Sequence, residues 1–270
     1  MSRPALLGCL LFVLPTLPAP GYPVLEPELA ARDALVTAWR GDLPLILSAP
    51  HGGRVRVPGG RNRRQGVTVR DEDTAELALL LSQRITDELG AKPYVVIAQF
   101  SRKDADANRP AADAFEVEVA GVHWRAYHAA LEQAVAECRQ RFGEALLIDL
   151  HGQSEEPAVI ARGTRDGKTL RRLEQRKGKE WLHGSPSLGE RLRARGYEVV
   201  PRPAADGQPG KETLFNGGHI VATYGGMNPN GIDAIQFEFG RQRDNLRQLG
   251  ADCGIAIAEF VREGGYLRPR

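Results

Sequence analysis

The chain has 270 residues with ordinary apolar and charged fractions, room for one large α/β domain or two small ones. Its 36 basic and 34 acidic residues leave a net charge of +2, which gives no electrostatic footprint for nucleic acid. The three cysteines are too few for a disulfide scaffold and show no Cys-x-x-Cys spacing, so any metal must be held by histidine and carboxylate.

The N-terminus differs from the rest. Arg3 precedes the apolar run Ala5 to Leu17, followed by Pro18, Ala19, Pro20 and Gly21. This pattern predicts a signal peptide over residues 1–21, cleavage before Tyr22, and export to the periplasm or outside the cell. The alternative is a misplaced start codon or a buried N-terminal helix in a cytoplasmic protein. The run is too short for a comfortable membrane span, and no other segment could cross a membrane. Residues 22–270 are expected to form a single domain.

Leu43 to Ser48 reads as a buried strand. The next helix has apolar positions Leu77, Leu80, Leu81, Ile85 and Leu89, with Asp73 or Asp71 as its cap and Gly90 as its end. Tyr94 to Ala98 is a β-branched strand. A long helix covers Val122 to Phe142, and Ala145 to Leu150 is a third strand. Further strands are expected at Ala158–Ala161, Glu198–Val200, His219–Tyr224 and Ala234–Phe239. Helices are expected near Leu188–Arg195 and Asp244–Glu263. Strands alternating with helices predict an α/β fold of three layers, a central, mostly parallel sheet flanked by helices. Cys138 and Cys253 read as buried small hydrophobes, with a disulfide between them as the alternative. Arg61, Arg63 and Arg64 read as a solvated charge run.

Ligands in such sheets bind beyond the carboxyl ends of the strands. His51-Gly52-Gly53 follows the first strand, Asp149-Leu150-His151-Gly152 ends the third, and Glu238 lies in the last. Zinc catalysis needs three protein ligands and an open position. His51 and His151 supply two, and Asp71, Glu72 and Asp73 are the candidates for the third. Asp149 is either a ligand or a partner that orients His151. Glu238 alternates to the opposite face from Phe237 and Phe239. It is a candidate general base, or one half of a buried salt bridge. Asn108-Arg109-Pro110 is either a turn or a fork for a substrate carboxylate. His123, His128, His183 and His219 rank lower as ligands. No dinucleotide or serine-hydrolase motif is present.

The order of Pro50-His51-Gly52-Gly53, Arg70-Asp71, Phe100-Ser101-Arg102, Asp106-Ala107-Asn108-Arg109-Pro110, Asp149-Leu150-His151-Gly152-Gln153, Arg162-Gly163-Thr164, Gly217-Gly218 and Gln236-Phe237-Glu238 resembles the N-formylglutamate amidohydrolase family, from about Leu45 to about Phe260. The resemblance implies a zinc carboxypeptidase-like fold with a central mixed sheet. It also implies one zinc ion per chain, other divalent metals being alternatives. The implied ligands are His51, Asp71 and His151; Arg54 stands where the wider group carries a glutamate ligand. Glu238 matches the catalytic glutamate, and Asn108 with Arg109 the pair that grips a substrate carboxylate. Arg102 or Arg162 would stabilise the oxyanion. The implied substrate is a small N-acyl amino acid such as N-formylglutamate. The alternatives are an exported peptidase or amidase acting on short or cell-wall peptides, and an inactive ligand-binding relative.

Overall fold

The computed structural model describes residues 35–203 and 210–267. The expected signal peptide and Cys9 lie outside these residues. In chain order the strands are β1 (Val36–Trp39), β2 (Leu45–Ala49), β3 (Tyr94–Ala98), β4 (Leu146–Gly152), β5 (Val159–Gly163), β6 (Glu198–Val200) and β7 (Asp233–Phe239). The helices are α1 (Thr74–Leu89), α2 (Ala111–Ala114), α3 (Glu118–Phe142) and α4 (Arg171–Lys177), then α5 (Glu180–His183), α6 (Leu188–Arg193), α7 (His219–Tyr224) and α8 (Leu246–Glu263).

All seven strands form one sheet in the order β1-β3-β2-β4-β7-β5-β6. The β1–β3 and β5–β7 pairs are antiparallel; the other pairs are parallel. The fold is thus the expected mixed, mostly parallel sheet between helices. One face packs Leu47, Ile148, Leu150, Ile235 and Phe237 against Leu77 and Leu81 of α1 and Ile257 and Phe260 of α8. The other packs Ile46, Val96, Leu147 and Ala234 against Tyr127, Leu131 and Val135 of α3. Cys138 and Cys253 are buried, free, and in different layers, so the disulfide alternative falls away.

Two expectations are corrected. His219–Tyr224 is the helix α7, not a strand. Its β-branched and aromatic residues suggest a strand, but Ile220, Val221 and Tyr224 are buried together at helical spacing, and the Gly225 N–H donates to the Val221 carbonyl at 2.9 Å. Asp73 stands at the cap position of α1 with φ 64, but its side chain makes no capping bond. Gly90 ends α1 as expected, with φ 71 and a bond from its N–H to the Thr86 carbonyl. No described helix is long and apolar enough to cross a membrane.

Candidate metal centre

The register of the sheet builds the site. Ser48 pairs with Asp149, Asp149 with Gln236, and His151 with Glu238. These polar residues therefore lie at the carboxyl end of the strands, on the face shared with α3. His51 lies two residues beyond β2. Asp71 is brought to it by the loop before α1, where the Asp71 N–H donates to the His51 carbonyl at 3.1 Å. Gly52 lets the loop pass close to α1, since a Cβ there would stand 2.7 Å from the Ala75 nitrogen.

Three donor atoms converge. Asp71 Oδ2 lies 3.1 Å from His51 Nδ1 and 3.3 Å from His151 Nδ1, and the two Nδ1 atoms are 3.1 Å apart. All three residues are buried. A tetrahedral zinc ion with ligand bonds near 2.1 Å holds its donors about 3.4 Å apart, so the spacing fits such an ion. Glu72 and Asp73 do not join the cluster. Glu72 is exposed and pairs with Arg70 at 3.3 Å, while Asp73 lines the cleft nearby.

A carboxylate stands behind each histidine. His51 Nε2 lies 2.6 Å from Asp106 Oδ1, and His151 Nε2 lies 2.8 Å from Asp149 Oδ2. With Nε2–H donating to a carboxylate, Nδ1 presents its lone pair to the centre, which fixes tautomer and ring orientation. The Ser48 hydroxyl donates to the other oxygen of Asp149 at 2.6 Å. Arg63 and Arg102 donate to the other oxygen of Asp106 at 3.2 and 3.1 Å.

The buried carboxylates Asp71, Asp106 and Asp149 face two arginines, Arg63 and Arg102, so the centre is electronegative before Glu238 is counted. Burial disfavours the Asp71 anion, but His51 and His151 outweigh it and hold the carboxyl well below its usual range. Burial also works against charge on Asp106, yet His51, Arg102 and Arg63 keep it ionised. His151 is desolvated, but Asp149 and Glu238 raise its proton affinity well above that of ordinary imidazole. The same field favours a bound cation. Burial raises the Glu238 carboxyl, and the Asp71 charge adds to the effect, against the pull of His151 and His51. Glu238 Oε1 accepts a 2.8 Å bond from Gln236 Nε2, and Gln236 Oε1 in turn accepts the Gly218 N–H at 2.7 Å.

His51, Asp71, His151, Glu238, Asn108, Arg109 and Arg102 line one cleft of about 1130 Å³. Within it, Asn108 Oδ1 is taken by the Ile220 N–H at 2.8 Å and its amide nitrogen lies 3.2 Å from His151 Nε2. Arg109 is exposed on the rim. Arg102 gives its charge to Asp71 (3.0 Å) and Asp106 rather than leaving it for a ligand. Arg162 is not brought to the cleft. It pairs across the sheet with Phe237, while its neighbour Ala161 pairs with Glu238, so alternation turns Arg162 to the opposite face. There it meets Glu212 at 3.3 Å. Arg63 is corrected too: it is buried and bonded to Asp106, not part of a solvated run. Asp106 and Gln236 stand within the motifs quoted above, but nothing in their spacing assigns them a role.

The cleft also has a wall built on an unusual turn. Arg165 and Asp166 both have φ 53 and Gly167 has φ 86. A left-handed backbone costs a non-glycine residue about 1 kcal/mol. Buried Glu212 holds the turn in place, accepting the Thr164 N–H at 2.6 Å, the Asp166 N–H at 2.9 Å and the Thr164 hydroxyl.

The family model for N-formylglutamate amidohydrolase matches residues 116–243. That stretch includes His151 and Glu238 but not His51 or Asp71, so it is narrower than the span carried by the motifs. No curated protein matches the chain by sequence. Among solved structures, the N-formylglutamate amidohydrolase from Ralstonia eutropha JMP134 is 21% identical, with a TM-score of 0.57, over 86% of this chain and 99% of that one. A gene product of Agrobacterium tumefaciens is 16% identical, with a TM-score of 0.49, over 85% and 94%. The first of these supports a shared fold over most of this chain. Over residues 116–243 the chain thus matches the N-formylglutamate amidohydrolase family, and that match supports a hydrolase acting on an amide bond.

Proposed function

We propose that this chain is a metal-dependent amidohydrolase that cleaves the amide bond of an N-acyl amino acid such as N-formylglutamate. The observation that carries the reading is the convergence of His51, Asp71 and His151 beside Glu238. Two imidazoles and one carboxylate form a donor set suited to zinc. When bound, such an ion supplies Lewis acidity to the amide carbonyl and acidifies water.

The chain's own residues do the rest. Glu238 takes a proton from the attacking water and returns it to the leaving amine. Its burial suits both tasks, because a raised carboxyl pKa lies nearer neutrality. Gln236 holds Glu238 in place. Asp106 and Asp149 keep the imidazoles in the ligand tautomer, and Arg102 holds Asp71 and Asp106. Arg109, on the rim, receives a substrate carboxylate and aligns the amide, a proximity effect.

The test is turnover of N-formylglutamate by zinc-loaded protein, alongside Glu238→Gln and a panel of short peptides. Glu238→Gln is expected to lower kcat by about 10²–10⁴-fold with zinc content unchanged. Full activity in that variant would remove Glu238 from the mechanism, and turnover of peptides alone would move the substrate class.

A further inference from the structure

The cleft holds several arginines, and their partners sort them. Arg70 and Arg102 pair with carboxylates. Arg243 donates to the carbonyls of Glu72 and Gly240. Arg109 and Arg241 are exposed, so water satisfies them. Arg165 is different. It is half-buried, lines the cleft, and has no carboxylate partner among the described residues. Among the described residues its guanidinium makes one long bond, 3.4 Å to the Gly218 carbonyl, and its Nε is buried without a partner. A buried N–H donor left unpaired, as this Nε is, is unfavourable unless a ligand completes it.

The backbone beneath Arg165 is held in an unusual conformation. Arg165 lies in the left-handed region that side chains avoid. The conformation persists because Glu212 ties down Thr164 and Asp166, and because the Arg165 N–H donates to the Asn216 carbonyl at 2.8 Å. Such locally strained residues cluster at ligand sites. Its neighbours place it within reach of the chemistry. Gly218 packs so closely on Asn108 that a Cβ there would collide with it, and Asn108 touches His151. Arg165 is thus linked through Gly218 and Asn108 to His151, and it lines the same cleft as His219.

We propose that Arg165 is a specificity-determining residue that binds a carboxylate of the substrate remote from the scissile amide. The planar guanidinium suits a carboxylate in a bidentate pose, which lysine cannot reproduce. Arg162, which sequence reasoning directed to the substrate, acts here at one remove: it pairs with Glu212, which fixes the turn that carries Arg165. The assignment rests on the amidohydrolase reading only for the identity of the scissile bond.

The experiment compares N-formyl-L-glutamate with its neutral isostere N-formyl-L-glutamine, using the zinc-loaded full chain and its Arg165→Gln and Arg165→Lys variants. Arg165→Gln is expected to lower kcat/KM for the acidic substrate about 30-fold. The neutral substrate should change by less than about twofold, and the lysine variant should fall between. Equal losses on both substrates would reduce Arg165 to a structural role and overturn the proposal, as would an unchanged preference. Titration calorimetry with glutamate and glutamine decides the matter if neither formyl substrate is turned over. Wild type should prefer glutamate, and Arg165→Gln should bind the two alike. That pattern without turnover would sink the amidohydrolase reading and keep Arg165; no preference in wild type would sink Arg165 itself.

Discussion

The strands β4 and β7 serve two purposes on their two faces. Ile148, Leu150, Ile235, Phe237 and Phe239 form a dry layer with α1 and α8. On the other face, Leu147 and Ala234 begin as core against α3, then Asp149, His151, Gln236 and Glu238 follow toward the carboxyl ends. Position along the strand, as well as face, separates packing from chemistry. The two faces also meet their costs differently. The first gains stability by removing apolar surface from water. The second buries groups that are unfavourable alone and compensates each with a named partner.

The largest effect expected from this contrast belongs to the apolar face. Phe237→Ala should lose about 3–5 kcal/mol of stability in denaturant titration, while the folded fraction binds metal as before. A variant that lost metal without losing stability would break the separation of the faces.

His128 sharpens the contrast between buried histidines. His51 and His151 have carboxylate partners, whereas His128 has the Tyr224 hydroxyl at 2.8 Å and the Ala107 carbonyl at 2.9 Å. Burial pushes it down to about 4, against the opposing pull of that carbonyl. In the unfolded chain it titrates near 6.5. Between those values the unfolded state binds the extra proton, so stability falls as pH drops from about 6.5 to about 4, by about 3 kcal/mol. His128→Gln should flatten that part of the stability profile. An unchanged acid limb would show that His128 is already charged in the fold.

A smaller effect is expected behind the ligands. Asp149→Asn should weaken zinc about 10–100-fold, read by competition with a chelator, with little change in the apolar layer. Unchanged affinity would mean that the Asp149 carboxylate does not orient His151.

Much of this was legible in the sequence for a physical reason. Short apolar runs followed by His-Gly mark strand ends, and strand ends of parallel sheets are where sites form. Alternation also placed Glu238 opposite its phenylalanine neighbours. The rest depended on pairings that spacing does not encode. Arg162 faces away because of its antiparallel register with β7. Arg63 looked solvated because nothing local reveals Asp106, 43 residues on. The six residues of α7 are too few to display a helical period. Arg165 gave no signal at all, since neither its left-handed backbone nor its missing partner can be read from residue identity.

The most direct measurement is metal content after loading with zinc and removing the excess, on wild type and His151→Ala. Wild type should hold about one zinc per chain, and the variant should lose it. A wild-type chain that retains no metal, or a His151→Ala chain that retains as much as wild type, would contradict the assignment of the centre.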